Sequence, residues 1–478
     1  MDNYQKVINE ALKIVKPSKE DEEKLKTLSK KIVAFADIEI EKYGAEAMSA
    51  GSVTRNTWLP DKKECDVFLV FPKSLPEKEL EDIGISVGRA VIKRLKGTSW
   101  VEYAQHPYVT GEIDGMQVDI VPCYAVESTK EIKSAVDRTP FHVRYLDKNL
   151  PQSLSDEVRL LKQLCKAGGV YGADARAQGL SGYACEVLVI NYGKFMNVLK
   201  NIADWKPGEI IDTEKYYDKK DYKSLNHKFR GEALVLIDPT DKNRNVASAV
   251  SPENFFKLIK VVKAFLKEPA KSFFIKKNVK PLTTAELTSY LEKRNTGLLV
   301  VKMDPPKVVP DILWPQLRKF ADRIESILEE TKNEFKVLRK DVYTNDKDIA
   351  VVLLEMEFYE NLPNVQKRIG PSVFDVDDAK RFIEKYMKGD IINGPFIEND
   401  KWVVEIERRF LNARDKLVDS LKKDINTLKA KGIPNYIAEQ MMKGFRIYSD
   451  ADSISKALMA NEDFCIFLRT YFEKENLA

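Results

Sequence analysis

The chain is poor in the residues that build most metal and redox centres. Its 478 residues include five cysteines, Cys65, Cys123, Cys165, Cys185 and Cys465. They are scattered, odd in number and never in C-x-x-C spacing, which excludes a zinc ribbon and a disulfide framework and suits a reducing cytoplasm. Three histidines, His106, His142 and His227, are too few for a multi-histidine metal centre. No run of about 18 apolar residues occurs, which excludes a membrane-spanning helix. The N-terminal MDNYQKVINEALKIVKP is amphipathic and of mixed charge, without the apolar core of a secretory leader. Charge of one sign is lacking too: 78 Lys and Arg against 74 Asp and Glu leave +4, so any polyanion-binding surface must be local. No internal repeat or low-complexity segment is found. The expectation is a soluble cytoplasmic protein, untargeted and off the membrane. A hydrophobic fraction of 44% and a length worth about three domains allow real cores.

What is present reads as α+β. The first ~150 residues alternate helices with short strands, as in a small unit on a mixed or antiparallel sheet. From residue 153 to 200 the pattern turns helical, with Gly168-Gly169 as a stop. A polar stretch over 206–230 reads as a long loop. Between 297 and 407 the order is βαββαβ, that of a ferredoxin-like or RNA-recognition-motif-like body, though without the aromatic signature that stacks RNA on such a sheet. The remainder is helical. The resulting division is 1–150, 151–258, 259–408 and 409–478.

Chemistry concentrates in SVTRNTWLPDKKECDVFLV, residues 52–70. Alternation along a strand puts Glu64, Asp66 and Phe68 on one face and Cys65, Val67 and Leu69 on the other. A lone E-x-D is commonly an acid pair in water. Here it leads into residues 67–71, apolar on both faces, so the strand is predicted to be covered at its far end and open onto a site at its near end. Carboxylates there repel unless a cation sits between them. Asp119, the only charge in the buried-strand pattern of MQVDIVPCY, adds a third acid. Three acids without a histidine cluster suit Mg²⁺. Gly51-Ser52 followed by Arg55 could present a hydroxyl and a guanidinium to an anion, or Ser52 could simply cap a helix. The inferred reaction class is nucleotidyl transfer by a two-metal site.

Six ordered blocks, GSVTRNTWLPDKKECDVFLVFP, HPYVTGEIDGMQVDIVPCY, KSAVDRTPFHVRYL, EVRLLKQLCKAGGVYGA, GLSGYACEVLVINYG and DPTDKNRNVASAVS, together resemble the archaeal, class I CCA-adding enzymes. These are tRNA nucleotidyltransferases of the polymerase-β superfamily. The resemblance is dense over residues ~45–260 and looser beyond. It implies a polymerase-β-like nucleotidyltransferase head (1–150), a helical central neck (151–258), a ferredoxin-like βαββαβ body (259–408) and a helical tail (409–478). It implies Glu64, Asp66 and Asp119 as ligands of two Mg²⁺ ions, and Ser52, Arg55, His142, Lys162 and Tyr171 as contacts to the incoming triphosphate. Arg244 matches the arginine near the incoming base. Partners are then CTP, ATP and the acceptor stem and TΨC arm of tRNA, and a homodimer is compatible with the pattern.

Two departures bear on this. Cys65 stands between the metal acids where the family often carries an aliphatic residue, and its strand parity turns it away from them. The second half matches weakly, so the tail's grip on tRNA is the less specific part. Other readings are a poly(A) polymerase or other terminal nucleotidyltransferase, and an inactive RNA-binding relative; retention of all three acids argues against the last. The E-D-x-x-R helix of the bacterial-type enzymes is absent. Lysine-rich runs at 219–230 and 421–432 are the expected RNA-facing segments.

Overall fold

A computed structural model describes residues 2–103, 106–330, 334–360 and 362–474. The described residues separate into two compact units, one up to residue 278 and one from residue 279.

The first unit opens with helices α1 (Asp2–Val15) and α2 (Lys19–Ile40), the latter capped by Ser18, whose side chain accepts from the Asp21 N–H. There follow β1 (Glu46–Ala50), the short α3 (Gly51–Thr54), β2 (Glu64–Pro72), α4 (Glu77–Arg94), β3 (Thr98–Tyr103), β4 (Pro107–Ile113) and β5 (Met116–Ala125). The strands make a mixed sheet in the order β1-β2-β5-β4-β3, with β2 and β5 parallel at its centre and the other pairs antiparallel. Period two sorts the side chains. Cys65, Val67, Leu69 and Phe71 of β2 and Val118 and Ile120 of β5 pack with α2 and α4 in one core. On the opposite face Phe68, Val70, Val121 and Cys123 form a smaller apolar cluster with Val143. The far end of β2 is thus covered on both sides, as its apolar run requires.

The neck follows, with α5 (Thr139–Asn149), α6 (Ser155–Ala167), α7 (Gly182–Tyr192), α8 (Phe195–Asp204), β6 (Glu209–Ile211), α9 (Tyr222–Lys228), β7 (Leu234–Asp238), β8 (Asp241–Asn245) and α10 (Pro252–Lys267). The stretch read as a loop over 206–230 therefore holds a strand and a helix. Both are short and polar enough to leave no periodic signal. Val7, Ala11 and Val15 of α1 pack in the neck core with Val158, Leu161 and Phe265. The expected boundary at residue 258 falls inside α10.

The second unit comprises α11 (Thr284–Arg294), β9 (Gly297–Met303), α12 (Pro310–Leu328), β10 (Lys336–Thr344), β11 (Ala350–Phe358), β12 (Val365–Ser372), α13 (Val376–Met387), β13 (Asn393–Glu398), β14 (Lys401–Glu407), α14 (Ala413–Leu421), α15 (Ile425–Ala430), α16 (Asn435–Lys443), β15 (Arg446–Tyr448), α17 (Ala451–Leu458) and α18 (Glu462–Phe472). The βαββαβ order is present as β9-α12-β10-β11-α13-β14, but its strands divide between two sheets, β10-β11-β9-β15 and β12-β14-β13. The tail supplies β15 to the first sheet, and Ile454, Leu458, Phe464 and Leu468 pack with Val300, Val351 and Leu353. The segment expected as a separate tail is therefore part of this core. Lysines of the 421–432 run are largely engaged: Lys423 lies 3.4 Å from Asp419, Lys429 lies 3.1 Å from Glu439, and Lys431 donates to the Ser420 carbonyl. No helix of the described residues is long and apolar enough to cross a membrane.

Candidate active site

Asp66 and Asp119 stand directly opposite each other in the parallel β2–β5 ladder, and Glu64 is opposite Gln117 two residues earlier. All three acids are half-buried and lie on the face away from α2 and α4, at the uncovered ends of their strands. Asp66 is pushed up to about 6, first by burial and then by the charges of Asp119 and Glu64. That is the mark of carboxylates crowded where one cation would relieve several. The Glu64 carboxylate turns to Lys62, 2.6 Å away, and Gln117 donates to Asp119 at 3.3 Å. Cys65 points to the opposite core, where burial pushes its thiol up to about 12. Among the described residues, the group of three carboxylate or histidine ligand atoms mutually within 4.8 Å is a different one, Glu77, Glu81 and His106. There His106 Nδ1 lies 3.1 Å from Glu81 and 3.4 Å from Glu77, a polar bracket between α4 and the residue before β4.

Gly51 sets the geometry over Asp66. Its φ is +73°, and a Cβ built on it would meet Asp66 Oδ2 at 1.8 Å. The backbone at the start of α3 therefore rests on the carboxylate, and only glycine allows both the angle and the approach. Gly51→Ala is expected to reduce turnover by at least ~10²-fold, because about 1 Å of displacement at a reacting centre costs that much. Steady-state rates beside a circular dichroism spectrum check this.

Ser52 is half-buried on α3, and its carbonyl accepts from the Thr57 N–H at 2.9 Å. Arg55 is buried, with Nη2 3.4 Å from Glu186 Oε2 and Nη1 donating to Thr54 Oγ1 at 3.0 Å. Lys162, on α6 and also buried, donates to the Thr57 carbonyl (3.1 Å), Thr57 Oγ1 (3.2 Å) and Glu186 Oε1 (3.3 Å). Thr57 Oγ1 in turn donates to Glu186 Oε1 at 2.5 Å. Burial raises the Glu186 carboxyl, but Lys162 and Arg55 outweigh it and hold the group below the usual range. Tyr171 joins this group from the loop after α6. A Cβ at Gly182 would stand 3.2 Å from its Oη and 3.5 Å from Lys162 Nζ. Burial raises the Tyr171 phenol.

His142 and Arg244 belong to a second cluster, built on Asp238 at the end of β7. Asp238 is wholly buried, and its Oδ2 accepts from Arg244 Nη1 (2.7 Å) and His142 Nε2 (3.0 Å). Its Oδ1 accepts from Tyr183 Oη (3.2 Å), Thr240 N (2.9 Å) and Thr240 Oγ1 (2.8 Å). The His142 ring stacks on Tyr183 with centroids 4.0 Å apart.

The structure thus gathers the expected residues into three groups, and it adds hubs that the sequence reading passed over. Glu186, Asp238 and Asp137 are each buried acids; Asp137 accepts from the N–H groups of Tyr124, Lys133 and Ser134. A signal existed: GYACEVLVI and LVLID each carry one charge in an apolar run, and such a charge needs a partner.

Three family models cover the chain: a nucleotidyltransferase domain over residues 22–142, the second domain of tRNA nucleotidyltransferases over 156–275, and the C-terminal domain of CCA-adding enzymes over 294–450. The CCA-adding enzyme of Methanocaldococcus jannaschii is 39% identical over 91% of this chain and 93% of its own length. That of Haloarcula marismortui is 34% identical over 99% of both chains. The chain belongs to the CCA-adding enzyme family. Against the CCA-adding enzyme of Methanosarcina barkeri, identity is 36% over 96% of each chain, so the likeness extends through the second unit, which none of the quoted sequence blocks reaches.

Proposed function

We propose that the protein adds C, C and A to the 3′ end of tRNA from CTP and ATP, without a nucleic-acid template and with release of pyrophosphate. The observation that carries this reading is the in-register pair of Asp66 and Asp119, with Glu64 at the same strand start, in a chain that aligns end to end with CCA-adding enzymes. The donors are oxygens only and the acids are crowded, which fits Mg²⁺. Two such ions on Glu64, Asp66 and Asp119 would neutralise triphosphate charge and make the attacking 3′-hydroxyl more acidic.

The chain's own groups do the positioning. The tRNA 3′-hydroxyl gives up its proton to solvent as its oxygen bonds to the α-phosphorus, and the bond to the bridging oxygen of the pyrophosphate breaks in line with it. Ser52, Arg55, His142, Lys162 and Tyr171 are the groups for the triphosphate, and Arg244 is the group for the base. The burial of Arg55, Lys162 and Glu186 keeps water from these charges and lowers the cost of rearrangement at the moment of reaction. Free, buried cysteines at all five positions suit a cytoplasmic setting.

Replacement of Arg55 or His142 by Ala is expected to raise the KM for CTP and ATP together, by roughly 10-fold or more, since charge-assisted phosphate contacts are each worth about 1.5–3 kcal/mol. Ser52→Ala should do less. A rise for one nucleotide alone would show that the residue touches a base.

The RNA partner is tested with a minihelix of acceptor stem and TΨC arm against an unstructured RNA of equal length with the same 3′ end. The minihelix should serve nearly as well as tRNA, because an A-form stem is read by shape and 2′-hydroxyls. The logarithm of its affinity should fall with log salt at a slope of about −0.7 to −0.9 per phosphate contact. Equal, salt-insensitive use of both RNAs would remove tRNA as the substrate.

A further inference from the structure

Among the described residues, Asp238 is the carboxylate shared by the two residues assigned above to opposite ends of the nucleotide. Arg244 and His142 donate to the same oxygen, Oδ2, while three neutral donors hold Oδ1 and fix the plane of the carboxylate. The donors come from α5 (His142), α7 (Tyr183), the β7–β8 turn (Thr240) and β8 (Arg244). Five donors saturate a carboxylate, and a wholly buried one has no water with which to replace any of them. Neighbouring groups hold the next layer: Tyr216 Oη donates to the Pro239 carbonyl at 2.6 Å and Tyr145 Oη to Glu214 at 2.6 Å.

We propose that Asp238 is a positioning residue for nucleotide selection, which holds Arg244 in a single pose and couples it to His142 through their common acceptor oxygen. This rests on the reading of Arg244 as the base-side group and His142 as a triphosphate group. An arginine fork discriminates between bases only while its orientation is fixed, since its donors lie in one plane. Released from Asp238, Arg244 would still supply charge but would present its donors to C and A alike. His142 would lose the acceptor that fixes the orientation of its ring. The ionised state this arrangement needs is supported by the charges and donors around Asp238, which hold its carboxyl far below the usual range against the effect of burial. Selection between CTP and ATP is a difference of affinities, so loosening one rigid contact lowers the difference even where both nucleotides still bind.

The test measures kcat and KM for CTP and for ATP separately on tRNA lacking its 3′ CCA, in wild type, Asp238→Asn, Tyr183→Phe, Arg244→Ala and Asp238→Asn with Arg244→Ala. Asp238→Asn keeps shape and loses charge; Tyr183→Phe keeps the ring stack and loses one donor to Oδ1, which guards against a variant that fails to fold. The ratio of kcat/KM for CTP to that for ATP should fall at least ~10-fold in Asp238→Asn and less in Tyr183→Phe, with little further fall when Asp238→Asn is added to Arg244→Ala. A ratio unchanged in both Asp238→Asn and Tyr183→Phe, with CTP and ATP turnover lowered equally, would reduce Asp238 to a structural role and overturn the proposal. A wild-type protein that shows no preference for CTP on this tRNA would instead overturn the functional reading on which it rests.

Discussion

Asp119→Asn and Asp66→Asn are each expected to lower nucleotide addition more than ~10³-fold, about 4 kcal/mol of transition-state stabilisation, which is the scale of a metal's charge contribution. Binding of tRNA and the fold should survive, since neither side chain holds the sheet together: Cys65, Val67, Val118 and Ile120 on the other face do that. Asp66→Asn should also change stability in a direction opposite to its effect on activity. The Asp66 carboxyl is raised in the folded chain to about 6, from an ordinary 3.8. Its proton therefore stabilises the folded state below the ordinary value, and that contribution is lost as pH rises through about 6. In EDTA at pH 8 the ionised wild-type side chain costs stability, and Asp66→Asn should melt a few degrees higher; below pH 4 the two should melt together. An Asp66→Asn protein that turns over as wild type would contradict the role given to these acids.

Glu186→Gln is expected to produce the largest loss of stability. The carboxylate answers Arg55 and Lys162, and all three groups are buried. Removing the single anion leaves two cations without their counter-charge in a low-dielectric site, a change that typically costs about 3–5 kcal/mol. For a unit of this size that is a fall of the order of 10 °C in the first melting transition. Since the folded Glu186 carboxyl is lowered, its contribution is fully present above the ordinary carboxylate range and is lost as pH falls below that range and through the lowered folded value, so the gap between wild type and Glu186→Gln should begin to narrow in acid. Thermal unfolding at pH 7.5 and pH 4 reads both effects, and a Glu186→Gln protein as stable as wild type would show that the ion triad holds nothing.

How much of this could be read from the sequence depended on the kind of signal. Period two alone placed Glu64 and Asp66 on one face and Cys65 on the other, and the sheet has that arrangement because alternation is a local property of the strand. The pairing of Asp66 with Asp119 was suggested by the lone acid in β5, but its register, one strand directly opposite the other, is a tertiary fact. Helix α1 showed an apolar face without showing what covers it; the cover is the neck core, more than 140 residues away in the chain for Val158. The body was misread as one sheet because VQKRIGPS and NGPFIE, which form β12 and β13, carry too little apolar alternation to register as strands, and these two take β14 into a second sheet. Arg55 is legible beside Gly51-Ser52, whereas Lys162 enters only through the family resemblance. Glu186, the acid that organises them, was hidden in a helix apolar on every side.

The central claim is that one site, built on Asp66 and Asp119, adds C, C and A in order to tRNA. The most direct measurement incubates the protein and Mg²⁺ with tRNA lacking its 3′ end, giving CTP alone, ATP alone and both together, and sequences the products. The account predicts two added cytidines with CTP alone, a single terminal adenosine after them when ATP is also present, almost no adenosine on the unextended tRNA, and no product from Asp119→Asn. A homopolymer tail from either nucleotide alone, or an ordered CCA end made by Asp119→Asn, would contradict it.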